Sequence, residues 1–143
     1  AMMLHMLKRV INEGTGSGLR SKYGLTNDLA GKTGTTQSNA DGWFIGITPR
    51  LVMGCWIGAD DPAIHFKTTA MGQGAATALP VVAGFLQRVN KDPDLRRIAG
   101  ARFPPLSNEL VQQLDCDLSR SDRTLLQRIF NRKKGVKEKK FKE

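Results

Sequence analysis

The run LAGKTGTTQSNADGWFIGITPRLVMGCWIG, residues 29–58, sets the architecture. It divides into three stretches of strand character: residues 29–36, 43–48 and 51–58. The second is rich in aromatic and β-branched side chains, which suit a pleated, half-buried surface. Only Pro49 and Arg50 separate the second stretch from the third, a spacing that predicts an antiparallel hairpin. The polar residues 37–42 are few enough to bring the first stretch back alongside the second. The expected unit is a three-stranded antiparallel meander, and Trp43 and Trp56 are expected in its core.

Helical patterns flank the meander. Residues 2–12 place Met3, Leu7, Val10 and Ile11 on one stripe at helical spacing. No capping residue stands before this helix, which implies a chain cut inside a larger domain. Residues 13–18 form a glycine-rich loop. It is not a dinucleotide fingerprint, because Leu19 stands where the third glycine belongs and no strand precedes it. Residues 59–71 read as a loop. A long helix then runs from about Gly74 to Val89, with Ala75, Leu79, Val82, Leu86 and Val89 mainly inward. Pro80 should kink that helix or mark its real start. The fold class is α+β, a three-stranded antiparallel sheet packed with helices. Residues 1–91 form the main portion and 92–143 a helical appendage. Within the appendage, residues 107–114 and 121–130 each open on a serine suited to capping.

The chain has 143 residues, enough for one domain with a modest core. Its formal net charge of +9 comes from 22 basic and 13 acidic residues. Residues 131–143 hold seven basic and two acidic side chains, so +5 of that charge sits in a tail expected to be solvated and disordered. No zinc-ligand spacing or aromatic ladder accompanies the charge, so a nucleic-acid partner is not expected. Cys55 and Cys116 are too few for a disulfide framework, and Cys55 reads as a small core residue. His5 and His65 lie far apart without companion ligands, so neither a metal nor a cofactor is expected. The longest apolar stretch, residues 75–86, falls well short of the ~20 residues that span a bilayer.

Gly31-Lys32-Thr33-Gly34-Thr35-Thr36 is the run that carries chemistry. A phosphate loop also ends in Gly-Lys-Thr, but it needs a glycine five places before Gly31, where Thr26 stands. The other reading is the Lys-Thr-Gly element of serine penicilloyl enzymes. Four more landmarks accompany it in order. Gly14-Thr15-Gly16 comes after an apolar helix. Asp41-Gly42-Trp43-Phe44-Ile45-Gly46 and Cys55-Trp56-Ile57-Gly58-Ala59-Asp60-Asp61 lie beyond the motif, and Gly74-Ala75-Ala76 precedes the long helix. Together, over residues 2–90, they resemble the C-terminal part of the transpeptidase domain of bifunctional, class A penicillin-binding proteins.

The resemblance implies a share in peptidoglycan cross-linking at the extracytoplasmic face of the bacterial inner membrane, in a parent that also carries a glycosyltransferase domain. It assigns Lys32 an electrostatic and proton-transfer role. The hydroxyls of Thr33 and Thr35 go to the substrate carboxylate, and the Thr35 N–H supplies half of an oxyanion hole. Gly34 lets the stem peptide or a β-lactam approach the strand, and Thr36 completes the binding set. In an ideal strand Lys32 and Thr33 point to opposite faces, so the site must wrap the strand edge or the strand must twist. The family's Ser-x-x-Lys and Ser-x-Asn motifs do not occur. None of Ser17, Ser21, Ser38, Ser107, Ser119 and Ser121 has a lysine three places on or an asparagine two places on. The chain alone is therefore expected to be inactive, with its nucleophile supplied by a missing N-terminal part. A serine β-lactamase fragment shares Lys-Thr-Gly, and a non-catalytic module that binds cell-wall peptide is the rival of another class. The family sheet has five strands, so the edge at residues 51–58 is expected to be open and to invite a homodimer.

Overall fold

The structure, a computed structural model, describes residues 2–108 and residue 110. Cys116, the basic tail, the segment 121–130 and most of 107–114 lie outside the described residues. The described residues up to Leu106 form one compact unit.

Helix α1 (Met2–Asn12) has the expected bounds, but its stripe is shifted. Ile11 is fully buried, whereas Met3 is exposed. The chain then turns through the glycine loop into a short helix, α2 (Gly18–Ser21), which the sequence pattern does not reveal. One turn of helix between glycine and Lys22 carries no periodicity to detect. Arg20 fixes the path of the chain from α2 to β1. Its guanidinium donates to the carbonyls of Leu25 at 2.6 Å and Asn27 at 2.8 Å.

Strands β1 (Ala30–Thr35), β2 (Gly42–Ile47) and β3 (Val52–Ile57) form an antiparallel sheet in the order β1-β2-β3. The register pairs Gly34 with Trp43, and Trp43 with Trp56. Alternation then sorts the side chains. Gly31, Thr33, Phe44, Gly46, Met53 and Cys55 share one face, and α1 and α4 (Ala78–Lys91) pack on that face. Phe44, Ile11, Leu19, Leu29, Leu79 and Leu86 are its fully buried side chains. Cys55 is half-buried against this cluster rather than inside it, and burial pushes its thiol pKa up.

The other face carries Lys32, Trp43, Ile45, Ile47, Val52 and Trp56, of which Lys32, Trp43, Val52 and Trp56 are exposed. Trp43 and Trp56 are 43% and 41% exposed, which corrects the expectation that they lie in the core. Aromatic content marks a strand but not which of its faces is covered. The two rings meet across β2 and β3 with centroids 6.4 Å apart.

Helix α4 starts at Ala78, later than Gly74, with Pro80 in its first turn. No intrahelical partner is needed for the N–H there, so the proline fits without a kink. Leu79, Val82, Leu86 and Val89 are buried as their spacing predicts, but Ala75 lies before the helix and is half-buried. Most of residues 59–71 is loop, closed by the short helix α3 (Thr69–Gly72). After α4, a single turn of helix, α5 (Arg96–Ala99), leads the chain back over the start of β1. The Asn27 amide donates to the Ala99 carbonyl at 2.9 Å and to Asn90 at 2.8 Å. Asp28 accepts from the Phe103 N–H at 2.9 Å and from the Lys8 ammonium at 2.6 Å.

Candidate functional site

The five residues singled out by sequence all lie on or just after β1, an edge strand. Its hydrogen-bond pattern decides what that edge offers. The Thr36 N–H donates to the Asp41 carbonyl at 3.1 Å, across the turn into β2. Antiparallel pairing alternates, so Gly34 and Lys32 also direct their backbone groups toward β2. Thr33 and Thr35 direct theirs outward, to an edge that no described strand occupies.

Lys32 and Thr33 start from opposite faces, as alternation demands. The long side chain of Lys32 folds around the edge, and its ammonium donates to the Thr33 carbonyl at 2.7 Å. That cation therefore rests on the outward-pointing backbone rather than over the exposed aromatic face. On the other face the Thr33 and Thr15 hydroxyls lie 2.8 Å apart, tying the glycine loop to β1. The Thr35 hydroxyl accepts from the Gly74 N–H at 3.3 Å and keeps its own proton to donate. Lys32 and Thr35 are exposed and Thr33 is half-buried, so all three are open to a ligand at this edge.

Two of the five sit differently. Gly34 turns its backbone to β2, and a Cβ there would stand 3.1 Å from the Cβ of Trp43. Its lack of a side chain makes room on the aromatic face, not along the open edge. Thr36 is taken up by Asp41, donating to one carboxylate oxygen at 3.1 Å and accepting from the Asp41 N–H at 2.9 Å. The other carboxylate oxygen of Asp41 accepts from the Trp56 indole at 2.9 Å. Asp41 thus ties the β1–β2 turn to β3.

Sequence reasoning passes over Thr15 and Gly74 as parts of the site. The glycine loop serves there only as a landmark, and nothing in its spacing says that Thr15 meets Thr33. Gly74 passes so close over the sheet that a Cβ there would collide with the carbonyls of Trp43 and Gly34. Only a residue without a side chain can sit at this crossing. Among the described residues, no group of three or more His, Cys, Asp or Glu could hold a metal ion.

Curated proteins are similar to this chain in sequence. Penicillin-binding protein 1A of Rickettsia typhi is 37% identical over 86 residues, covering 60% of this chain and 10% of that protein. Penicillin-binding protein 1B of Vibrio cholerae is 40% identical over 83 residues, 58% of this chain and 10% of its own length. Over the matched stretch this chain is similar to penicillin-binding proteins, as a fragment of one would be. Penicillin-binding protein 1A of Pseudomonas aeruginosa extends the match to 98 residues at 36% identity, 68% of this chain and 11% of the relative. The chain thus spans about a tenth of the length of the penicillin-binding proteins it matches. Comparison with protein-family models returns no match. Among the described residues, no helix is long and apolar enough to cross a membrane.

Proposed function

We propose that this chain forms one wall of the acyl-transfer site of a peptidoglycan DD-transpeptidase, acting in the bacterial cell envelope. The observation that carries the reading is the Lys32 ammonium held on the Thr33 carbonyl at the unpaired edge of β1. A stem peptide or a β-lactam lies along that edge as an added strand, taking hydrogen bonds from the outward backbone of Thr33 and Thr35. Its carboxylate accepts from the Thr33 and Thr35 hydroxyls, with Lys32 providing the positive charge. The Thr35 N–H receives the oxyanion, and loss of one such donor typically raises the barrier by about 2.7–4 kcal/mol. Thr15 holds the Thr33 hydroxyl in place.

No serine of this chain stands in the Ser-x-x-Lys pattern, so the nucleophile comes from elsewhere in a longer protein. In that protein the serine oxygen attacks the carbonyl next to the terminal D-alanine, the amide bond breaks and D-alanine leaves as the free amine. Attack by an acceptor amine then breaks the serine ester and takes the acyl group. The resemblance to class A penicillin-binding proteins implies a parent that also carries a glycosyltransferase domain and a membrane anchor.

The test uses membranes of the source organism. They are labelled with a fluorescent penicillin, and the same gel is probed with antibody raised to this chain. A large labelled band that reacts with the antibody is the expected result. An antibody band near 15.7 kDa that carries no label overturns the reading in favour of a non-catalytic peptide-binding module.

A further inference from the structure

Away from β1, four arginines surround one cleft of about 660 Å³. Arg50 comes from the β2–β3 turn, Arg96 and Arg97 from α5, and Arg102 from the segment just after α5; Pro49 and Pro104 complete the rim. No acidic side chain lines the cleft.

The fold does not engage the guanidinium groups of Arg50, Arg96 and Arg97. All four side chains are exposed, and no hydrogen bond or ion pair engages those of Arg50, Arg96 or Arg97 among the described residues. Arg102 feels the charge of Asp28, whose carboxylate already accepts from Lys8 and Phe103. The wall that carries three of the four is fixed at both ends. Asn27 holds the Ala99 carbonyl and Asp28 holds the Phe103 N–H, so α5 and Arg102 stand on an anchored segment.

All four residues are arginine, although the described surface offers lysine at Lys8, Lys22, Lys32, Lys67 and Lys91. The planar guanidinium fork matches oxyanions in a way that the lysine point charge does not. Four such forks around one opening leave a single carboxylate far short of neutrality, and the volume falls within the range of small-ligand sites. We propose that this cleft binds a phosphate-bearing anion of two or more charges, with a diphosphate as the class that fits. The phosphates come from a soluble molecule or from a lipid headgroup, and the experiment separates the two.

The full chain is titrated with sodium pyrophosphate by calorimetry and sedimented with cardiolipin vesicles, whose headgroup carries two phosphates, phosphatidylcholine vesicles serving as the blank. The double variant R50Q/R97Q keeps the whole basic tail, so any difference from the parent chain belongs to the cleft. Saturable pyrophosphate binding that weakens at least about tenfold in R50Q/R97Q supports the proposal with a soluble source. Binding to cardiolipin but not to pyrophosphate, with the same loss in the variant, supports it with a headgroup source. R50K/R97K should fall between the two, because charge remains and the fork is lost. If near-ultraviolet circular dichroism shows R50Q/R97Q misfolded, R96Q/R102Q replaces it. Absence of binding in both assays, or equal binding by the parent chain and the variant, overturns the proposal.

Discussion

The sheet has two outer edges, and they are built for different company. At β1 the outward backbone belongs to Thr33 and Thr35, and Lys32 curls over it. At β3 the same alternation turns the backbone groups of Val52, Gly54 and Trp56 outward, where Val52 is 68% exposed. Beside that edge an apolar groove of about 300 Å³ runs between β3 and α4, with Val81 and Phe85 on its rim. A cation and hydroxyl groups make the first edge suit a carboxylate-bearing strand and discourage an apolar one. The second edge offers apolar surface on both faces, which suits a strand or helix of protein. Edge strands of one sheet thus present different chemistry through their side chains, since their backbones are alike.

Four substitutions and a pH series put this contrast between the edges at risk. The largest effect falls on both edges together. Phe44 is fully buried beneath the sheet, and Phe44→Ala should cost about 3–5 kcal/mol in a urea melt. A much smaller loss would mean that the edges do not share one core. Gly74→Val comes next, at about 1–3 kcal/mol from the collision with the Trp43 and Gly34 carbonyls. It should disturb the β1 edge selectively, visible as faster amide exchange at Lys32 and Gly34, which pair with β2, than at Met53 and Cys55 on β3.

Lys32→Ala separates function from stability. The side chain is exposed, so unfolding should change by no more than about 0.5 kcal/mol, while penicillin labelling of the longer protein is lost. Labelling at the parental level would remove Lys32 from the site. At the other edge, Val52→Lys should lower self-association in sedimentation at high concentration and leave the fold intact. A parent chain that is already monomeric there would show that the β3 edge does not recruit a second copy.

The smallest effect concerns the scaffold behind β1. Burial raises the Asp28 pKa, but the Lys8 ammonium and the Phe103 N–H outweigh it, so the net value in the folded protein lies below the ordinary range. A depressed carboxyl pKa contributes stability that is present above the unfolded value, about 3.9, and fades as pH falls through the folded value. The melting temperature of the parent chain should therefore exceed that of Asp28→Asn at pH 7, with the gap closing toward pH 3. A gap independent of pH would mean that the carboxylate charge plays no part.

Much of this is legible in the linear sequence, for identifiable reasons. Strand character, the Pro49-Arg50 turn and the period of α4 are local properties, read over a few residues. The Lys-Thr-Gly run and the ordered landmarks around it are enough to indicate the family. Trp43 and Trp56 are misplaced by sequence alone because hydrophobicity does not say which sheet face finds a cover. Thr15 and Gly74 escape because their partners, Thr33 and the sheet carbonyls, lie 18 or more residues away.

Linear order is thus sufficient to say which segments become strands and helices, and which residue types stand beside one another on β1. It took the packed chain to make β1 an edge, to bring Lys32 around that edge to the Thr33 carbonyl, and to open four arginines from separate segments onto one cleft. The difference arises because side-chain period is a local constraint of the backbone. Edges, buried faces and clefts exist only after distant segments have packed.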